Sequence, residues 1–198
     1  MQATSALPAG YSERGGISLK NNRRLLILLN LIGIPWAALC AVFFIFMASV
    51  YGSLPGSGSA TLTTTTLVVG VIALVLVVIA TLVLHELTHG VFFWLFTRAR
   101  PRFGFKGLYA YAAAPGWYIP RGPFLLIGLA PLILLTALGL LILPLLPFPA
   151  SLLLLIALFV NATGAIGDLY MVARLIAAPR DALIEDQGEG IRWFSPAA

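Results

Sequence analysis

The sequence predicts an all-α integral membrane protein with four transmembrane helices. Three observations predict it. Sixty per cent of the 198 residues are apolar and only 10% are charged, against about 25% charged in an average soluble domain. Four apolar stretches are each long enough to cross a hydrocarbon core of about 30 Å, which takes about 20 residues at 1.5 Å rise. The connections between them alternate between basic and uncharged. This composition excludes a disordered chain, a disulfide scaffold and an ordinary soluble enzyme. Cys40 is the sole cysteine, so no intrachain disulfide forms.

The first span runs from about Leu25 to Tyr51. It begins too far into the chain and is too long for a cleavable signal peptide. Residues 1–20 lack periodicity and read as a flexible tail. The second span runs from about Thr66 to Thr97, the third from about Pro123 to Leu146 and the fourth from about Ser151 to Ala178. Residues 21–180 therefore form the membrane domain, and residues 181–198 a short segment after it.

The charges orient these spans. Arg14, Lys20, Arg23 and Arg24 precede the first span; Arg98, Arg100, Arg102, Lys106 and Arg121 lie between the second and third; Arg174 and Arg180 end the fourth. The loop from Ser53 to Thr66 and the turn around Pro144, Pro147 and Pro149 carry no charge. Basic connections stay in the cytoplasm, so both termini and the central loop are expected inside. The net charge of +5 is thus matched to the anionic inner face of a lipid bilayer and not to nucleic acid.

Ionisable groups at membrane depth are costly and mark function. Glu86 and Asp168 are the acids within the spans, and both histidines of the chain flank Glu86 in His85-Glu86-Leu87-Thr88-His89. Residues four apart project from one helical face, so both imidazoles can bind one zinc ion while Glu86 reaches a metal-activated water as general base. Buried histidines hydrogen-bonded to neighbours are the alternative, but they leave an acid and two imidazoles to satisfy in lipid, which a metal does at once.

Catalytic zinc takes three protein ligands. His89 and His85 lie nine and thirteen residues before Arg98, and Asp168 lies twelve before Arg180. All three therefore fall roughly 14–20 Å of helix from the basic boundary, which makes Asp168 the candidate third ligand. Its alternative, a pair with Arg174, suffers from a spacing of six, which is poor on a helix. Gly164 and Gly167 are expected to let helices approach beside Asp168. Asn161, two turns earlier on the same stripe, either hydrogen-bonds substrate or ties helices together. Thr81, one turn before His85, either supports a ligand or bonds its own backbone. Trp36 and Trp94 are expected to pack or meet lipid.

Between Arg102 and Ala112, aromatics alternate with small or basic residues around Gly107. That pattern suits two short strands joined by a turn, whose edge can hold an extended peptide; an interfacial loop with its aromatics at the headgroups is the alternative.

HELTHG, RPRFGFKGLYAYAAAP, LAP in the third span, NATGAIGDLY in the fourth and the tail from Leu183 to Ile191 occur in order. Together they resemble the prokaryotic family of zincin-like membrane peptidases first catalogued as a domain of unknown function. The likeness covers roughly Leu67 to Phe194. More distantly the layout is similar to site-2 proteases, which carry HExxH on one span and an aspartate ligand on a later one. That resemblance maps the ligands onto His85, His89 and Asp168 and the base onto Glu86. Here the aspartate follows Gly167 instead of preceding a glycine, and substrate selection by a PDZ-like module is not expected. The resemblance implies a zinc peptidase of the prokaryotic cell membrane, with one zinc ion and a membrane-associated peptide or protein substrate. The competing expectation is a non-catalytic metal-binding membrane protein, a scaffold or transporter subunit.

Overall fold

A computed structural model describes residues 2–18, 22–52, 63–105, 110–188 and 190–197. It is mostly helical, with small antiparallel sheets gathered at one end of the helices. Among the described residues, three helical segments are long and apolar enough to cross a membrane: α1 (Arg23–Val50), α2 (Thr64–Thr97) and the run Arg121–Leu145. That run comprises α3 (Arg121–Ala130), a π-helical turn (Pro131–Leu135), α4 (Thr136–Ile142) and a closing 3₁₀ turn. α5 (Ala150–Gly164) and α6 (Ile166–Ile176), bent by 40° at their junction, are long and apolar enough for a fourth span when taken together.

The ends of these helices follow from local chemistry. The Asn22 side chain accepts the Leu25 N–H at 3.1 Å to cap α1. Thr63 and Thr66 form a reciprocal capping box at the start of α2. That helix ends at Arg98, in the left-handed region with φ 56°, with its guanidinium 5.5 Å from the centre of the Trp94 ring. The outward faces are apolar, as lipid requires: Leu39, Ile45 and Leu76 are each more than 60% exposed. The inward faces form two buried clusters. One holds Cys40, Phe44, Leu143, Leu155 and Leu158, with Trp36 packed against it; the Trp36 indole N–H donates to the Ala162 carbonyl at 2.8 Å. The other holds Phe93, Phe124, Ile127, Leu175, Ile184 and Ile191 and joins the helices to the sheet.

Two features depart from the expected architecture. The expected loose tail is ordered over Tyr11–Ser18, which forms β1 and pairs antiparallel with β6 (Gly190–Pro196). The sheet continues through β5 (Leu183–Asp186) to β4 (Ile119–Pro120), in the order β1-β6-β5-β4. Arg192 locks its middle, donating to Glu185 at 2.7 Å and Glu13 at 3.3 Å, and Gly190 gives the Ile17 backbone room to approach. The fold is therefore not all-α. The sheet draws together the segments before α1, before α3 and after α6, the same three segments that carry the basic residues.

The second departure is the break in the fourth span. The Ala165 N–H still reaches the Asn161 carbonyl at 3.2 Å, and the chain then turns into α6. Asp168 falls in the first turn of the new helix, where the helix dipole favours a carboxylate.

The hairpin expected in the central loop is present as β2 (Arg102–Phe105) and β3 (Ala110–Ala113), with Arg102 opposite Ala113 and Phe105 opposite Ala110. Its turn around Gly107, and most of the neutral loop after α1, lie outside the described residues. The hairpin lies against α2 because Gly90 has no side chain: a Cβ there would run into the Phe103 ring.

Candidate metal centre

His85 and His89 lie one turn apart on α2, both buried, with ring centres 5.0 Å apart. Asp168 approaches from α6. Its Oδ2 is 3.0 Å from His85 Nε2 and 3.5 Å from His89 Nε2. One ligand atom from each residue lies within 4.8 Å of the others.

The far side of each ring fixes its chemistry. Asn161 turns its amide nitrogen to the Pro131 carbonyl at 3.2 Å and the Thr136 hydroxyl at 3.4 Å. Its Oδ1 therefore faces His85 Nδ1, at 3.0 Å, and can only accept. The Ile127 carbonyl, 2.9 Å from His89 Nδ1, likewise only accepts. Both Nδ1 atoms thus carry a proton, and both Nε2 atoms turn toward the Asp168 carboxylate. A positive charge there satisfies all three groups, either as a proton on an imidazole or as one shared metal ion, and two imidazoles with one carboxylate are an ordinary zinc donor set. The residues present fit the metal, and the hydrogen bonds behind each imidazole are those that orient metal-bound histidines.

Glu86 lies beside His85 on the wall of a cavity of about 860 Å³. The cavity is lined by both histidines, Asp168, Asn161, Thr81 and the hairpin residues Phe103 to Phe105 and Ala110 to Ala112. Thr81 donates to the Val77 carbonyl at 2.7 Å, the backbone bond that was one of its two expected uses. Asn161 links α5 to the third span and holds His85, so its side chain is spent on protein contacts. Gly164 and Gly167 do not bring helices together, contrary to expectation. A Cβ at either would meet nothing within 4 Å, and Gly164 and Gly167 both border the cavity. Close approach is made instead at Gly139 against Leu158 and at Gly128, where a Cβ would stand 3.0 Å from Val172.

Two groups at the site carry no signal in the residue pattern. One is the Ile127 carbonyl, a backbone atom. The other is Asp186, at the end of β5 and lining the same cavity. Burial pushes its carboxyl up to about 7, against the pull of the Gly188 N–H at 2.7 Å.

Residues 78–183 match the model of a family described as putative zincin peptidase. The matched segment runs from the middle of α2 to the first residue of β5 and takes in every donor atom of the cluster. The chain belongs to this family. No curated protein and no solved structure matches it. Membership of the zincin family implies zinc, and the His85, His89 and Asp168 group could hold one ion.

Proposed function

We propose that this member of the zincin family is a zinc-dependent peptidase embedded in the membrane, hydrolysing peptide bonds in or near the cytoplasmic half of the bilayer. The observation that carries the proposal is the convergence of His85 Nε2, His89 Nε2 and Asp168 Oδ2 next to Glu86 on the wall of one cavity. Metal binding alone needs the three ligands; a carboxylate beside them is what hydrolysis adds.

His85, His89 and Asp168 would hold the zinc ion, which when bound would supply an activated water and a Lewis acid for the scissile carbonyl. Glu86 takes the proton from the attacking water and returns it to the amine that leaves. Asn161 and the Ile127 carbonyl keep both imidazoles in the tautomer that presents Nε2 to the metal. The cavity lining is largely apolar side chains, which holds bulk water back and strengthens each of these interactions. Among the described residues β3 pairs with β2 alone, and Ala110, Tyr111 and Ala112 border the cavity. An extended substrate can add to the remaining edge by main-chain hydrogen bonds.

The cytoplasmic assignment is supported by the basic residues at the sheet end and by the counting of His85, His89 and Asp168 from that boundary. The proposal is tested with the purified chain in lipid vesicles containing a model transmembrane peptide. Cleavage should be lost with a chelator, restored by zinc and absent in His85→Ala. Cleavage that persists in His85→Ala contradicts it.

A further inference from the structure

The two acceptors that hold the histidine rings have a common origin in the third span. In an α-helix each carbonyl accepts the N–H four residues on. For Ile127 that position is Pro131, and proline has no N–H. The proline ring also crowds the carbonyl four residues back and tilts it off the helix axis. The freed Ile127 carbonyl is the one that accepts His89 Nδ1–H at 2.9 Å.

Pro131 acts on the other histidine as well. It opens the π-helical turn Pro131–Leu135, where the four-residue ladder is interrupted. Its own carbonyl accepts the Asn161 amide N–H at 3.2 Å. That bond sets which end of the amide faces His85, so that Oδ1 accepts His85 Nδ1–H at 3.0 Å. Pro131 is among the most completely buried residues of the chain, yet it touches neither imidazole by a side-chain hydrogen bond.

We propose that Pro131 is a positioning residue for both metal-ligand histidines: it frees the Ile127 carbonyl to hold His89 and offers its own carbonyl to Asn161, which holds His85. The proposal rests on the metal site described above, but it concerns the hydrogen bonds behind the rings, which exist with or without an ion. An N–H at position 131 competes with His89 for Ile127 and returns the turn to ordinary helix.

The test compares two variants of the full chain that differ by one atom group. Pro131→Ala restores the N–H. Lactic acid at the same position, introduced as an α-hydroxy residue, carries the alanine side chain with an ester oxygen in place of the N–H. Two quantities are read: the protonation of the histidine Nδ1 atoms by nitrogen-15 NMR of the metal-free protein, and the zinc dissociation constant by chelator competition. In Pro131→Ala, His89 should shift toward the Nε2–H form and zinc binding should weaken about 10–100-fold, the scale for losing such supporting bonds. The lactic acid variant should keep the Nδ1–H form and bind zinc within about threefold of wild type, well under the tenfold lower limit for a lost supporting bond. If both variants lose the Nδ1–H form equally, the proline acts through its ring; if neither does, it does not set the tautomer; either result overturns the proposal. If Pro131→Ala does not fold, the lactic acid variant decides alone: wild-type tautomers support the proposal, and misfolding or altered tautomers overturn it. A wild type that binds no zinc refutes the metal site, while the tautomer comparison still decides the role of Pro131.

Discussion

Asn161→Leu separates the support of the metal site from its ligands. Leucine matches asparagine closely enough in size to avoid a large cavity, so what is lost is polar. The wild-type side chain accepts from His85 at 3.0 Å and donates to Pro131 at 3.2 Å, with a longer contact to Thr136 at 3.4 Å. Asn161 is 2% exposed, so water does not replace these partners. Leaving the His85 N–H and the Pro131 carbonyl unpaired costs about 1–3 kcal/mol each, about 2–6 kcal/mol together, toward the lower end where the carbonyl relaxes. In addition, His85 is no longer held with Nε2 toward Asp168, and zinc affinity should fall about 10–100-fold, equivalent to about 1.4–2.7 kcal/mol of binding. Asn161→Asp keeps an acceptor for His85 and should hold zinc at least as well as wild type while still losing stability. The assay is chelator competition for zinc with thermal unfolding on the same preparations. Wild-type zinc affinity in Asn161→Leu would refute the claim that this hydrogen bond sets the ring.

Further outcomes follow from the same geometry. His85→Ala, His89→Ala and Asp168→Ala should each lose most bound zinc by metal analysis; full zinc content in Asp168→Ala would move the third ligand elsewhere. Gly90→Ala gains about 1 kcal/mol of helix propensity and loses about 1–3 kcal/mol to the clash with Phe103. The net loss of about 0–2 kcal/mol should lower its melting temperature by at most about 8 °C, while the hairpin shifts and KM rises several-fold; unchanged kinetics would separate the hairpin from substrate binding. Asp186 has a folded pKa of about 7, raised by burial, with Glu86, His89 and Asp168 acting on it from across the cavity. Folded protein keeps that proton between pH about 4 and about 7 while unfolded chain releases it, so stability of the metal-free protein should fall with rising pH across this window and level above it. Asp186→Asn should flatten that slope in unfolding measured from pH 4 to 8. Reporter fusions at Gly56 and Pro147 should map outside, and those at Gly107 and Ala198 inside; an outside signal at Gly107 would overturn the cytoplasmic assignment.

How much of this was legible in the sequence depended on the range of the interaction responsible. The spans are written in continuous apolar runs, and the His85, Glu86 and His89 spacing is fixed by a single helical turn. Asp168 was reachable because depth in a membrane can be counted from basic boundaries on two different helices. The β2–β3 hairpin showed in its alternation. β1 did not, because Tyr11–Ser18 is polar and contains Gly15 and Gly16, and its partner β6 lies at the other end of the chain. A strand of that composition is stabilised by its neighbour and not by its own pattern. The break between α5 and α6 did carry a signal, because Asn161, Thr163, Gly164 and Gly167 surround Ala165, but the two glycines were read as places for helices to approach and not as a point where one helix ends. The use of Asn161 turned on which acceptor stood across from it, and the Ile127 carbonyl belongs to the backbone, which no residue pattern marks.

The central claim is that Glu86 is a base and not merely a buried acid beside a metal. It is tested most directly by cleavage of a membrane peptide by wild type and Glu86→Gln at matched zinc content. Glutamine keeps the size and a hydrogen-bonding group but removes the proton acceptor. Zinc content should stay near wild type while cleavage falls by about 10²–10⁴-fold. Full peptidase activity in Glu86→Gln with zinc still bound would contradict the mechanism.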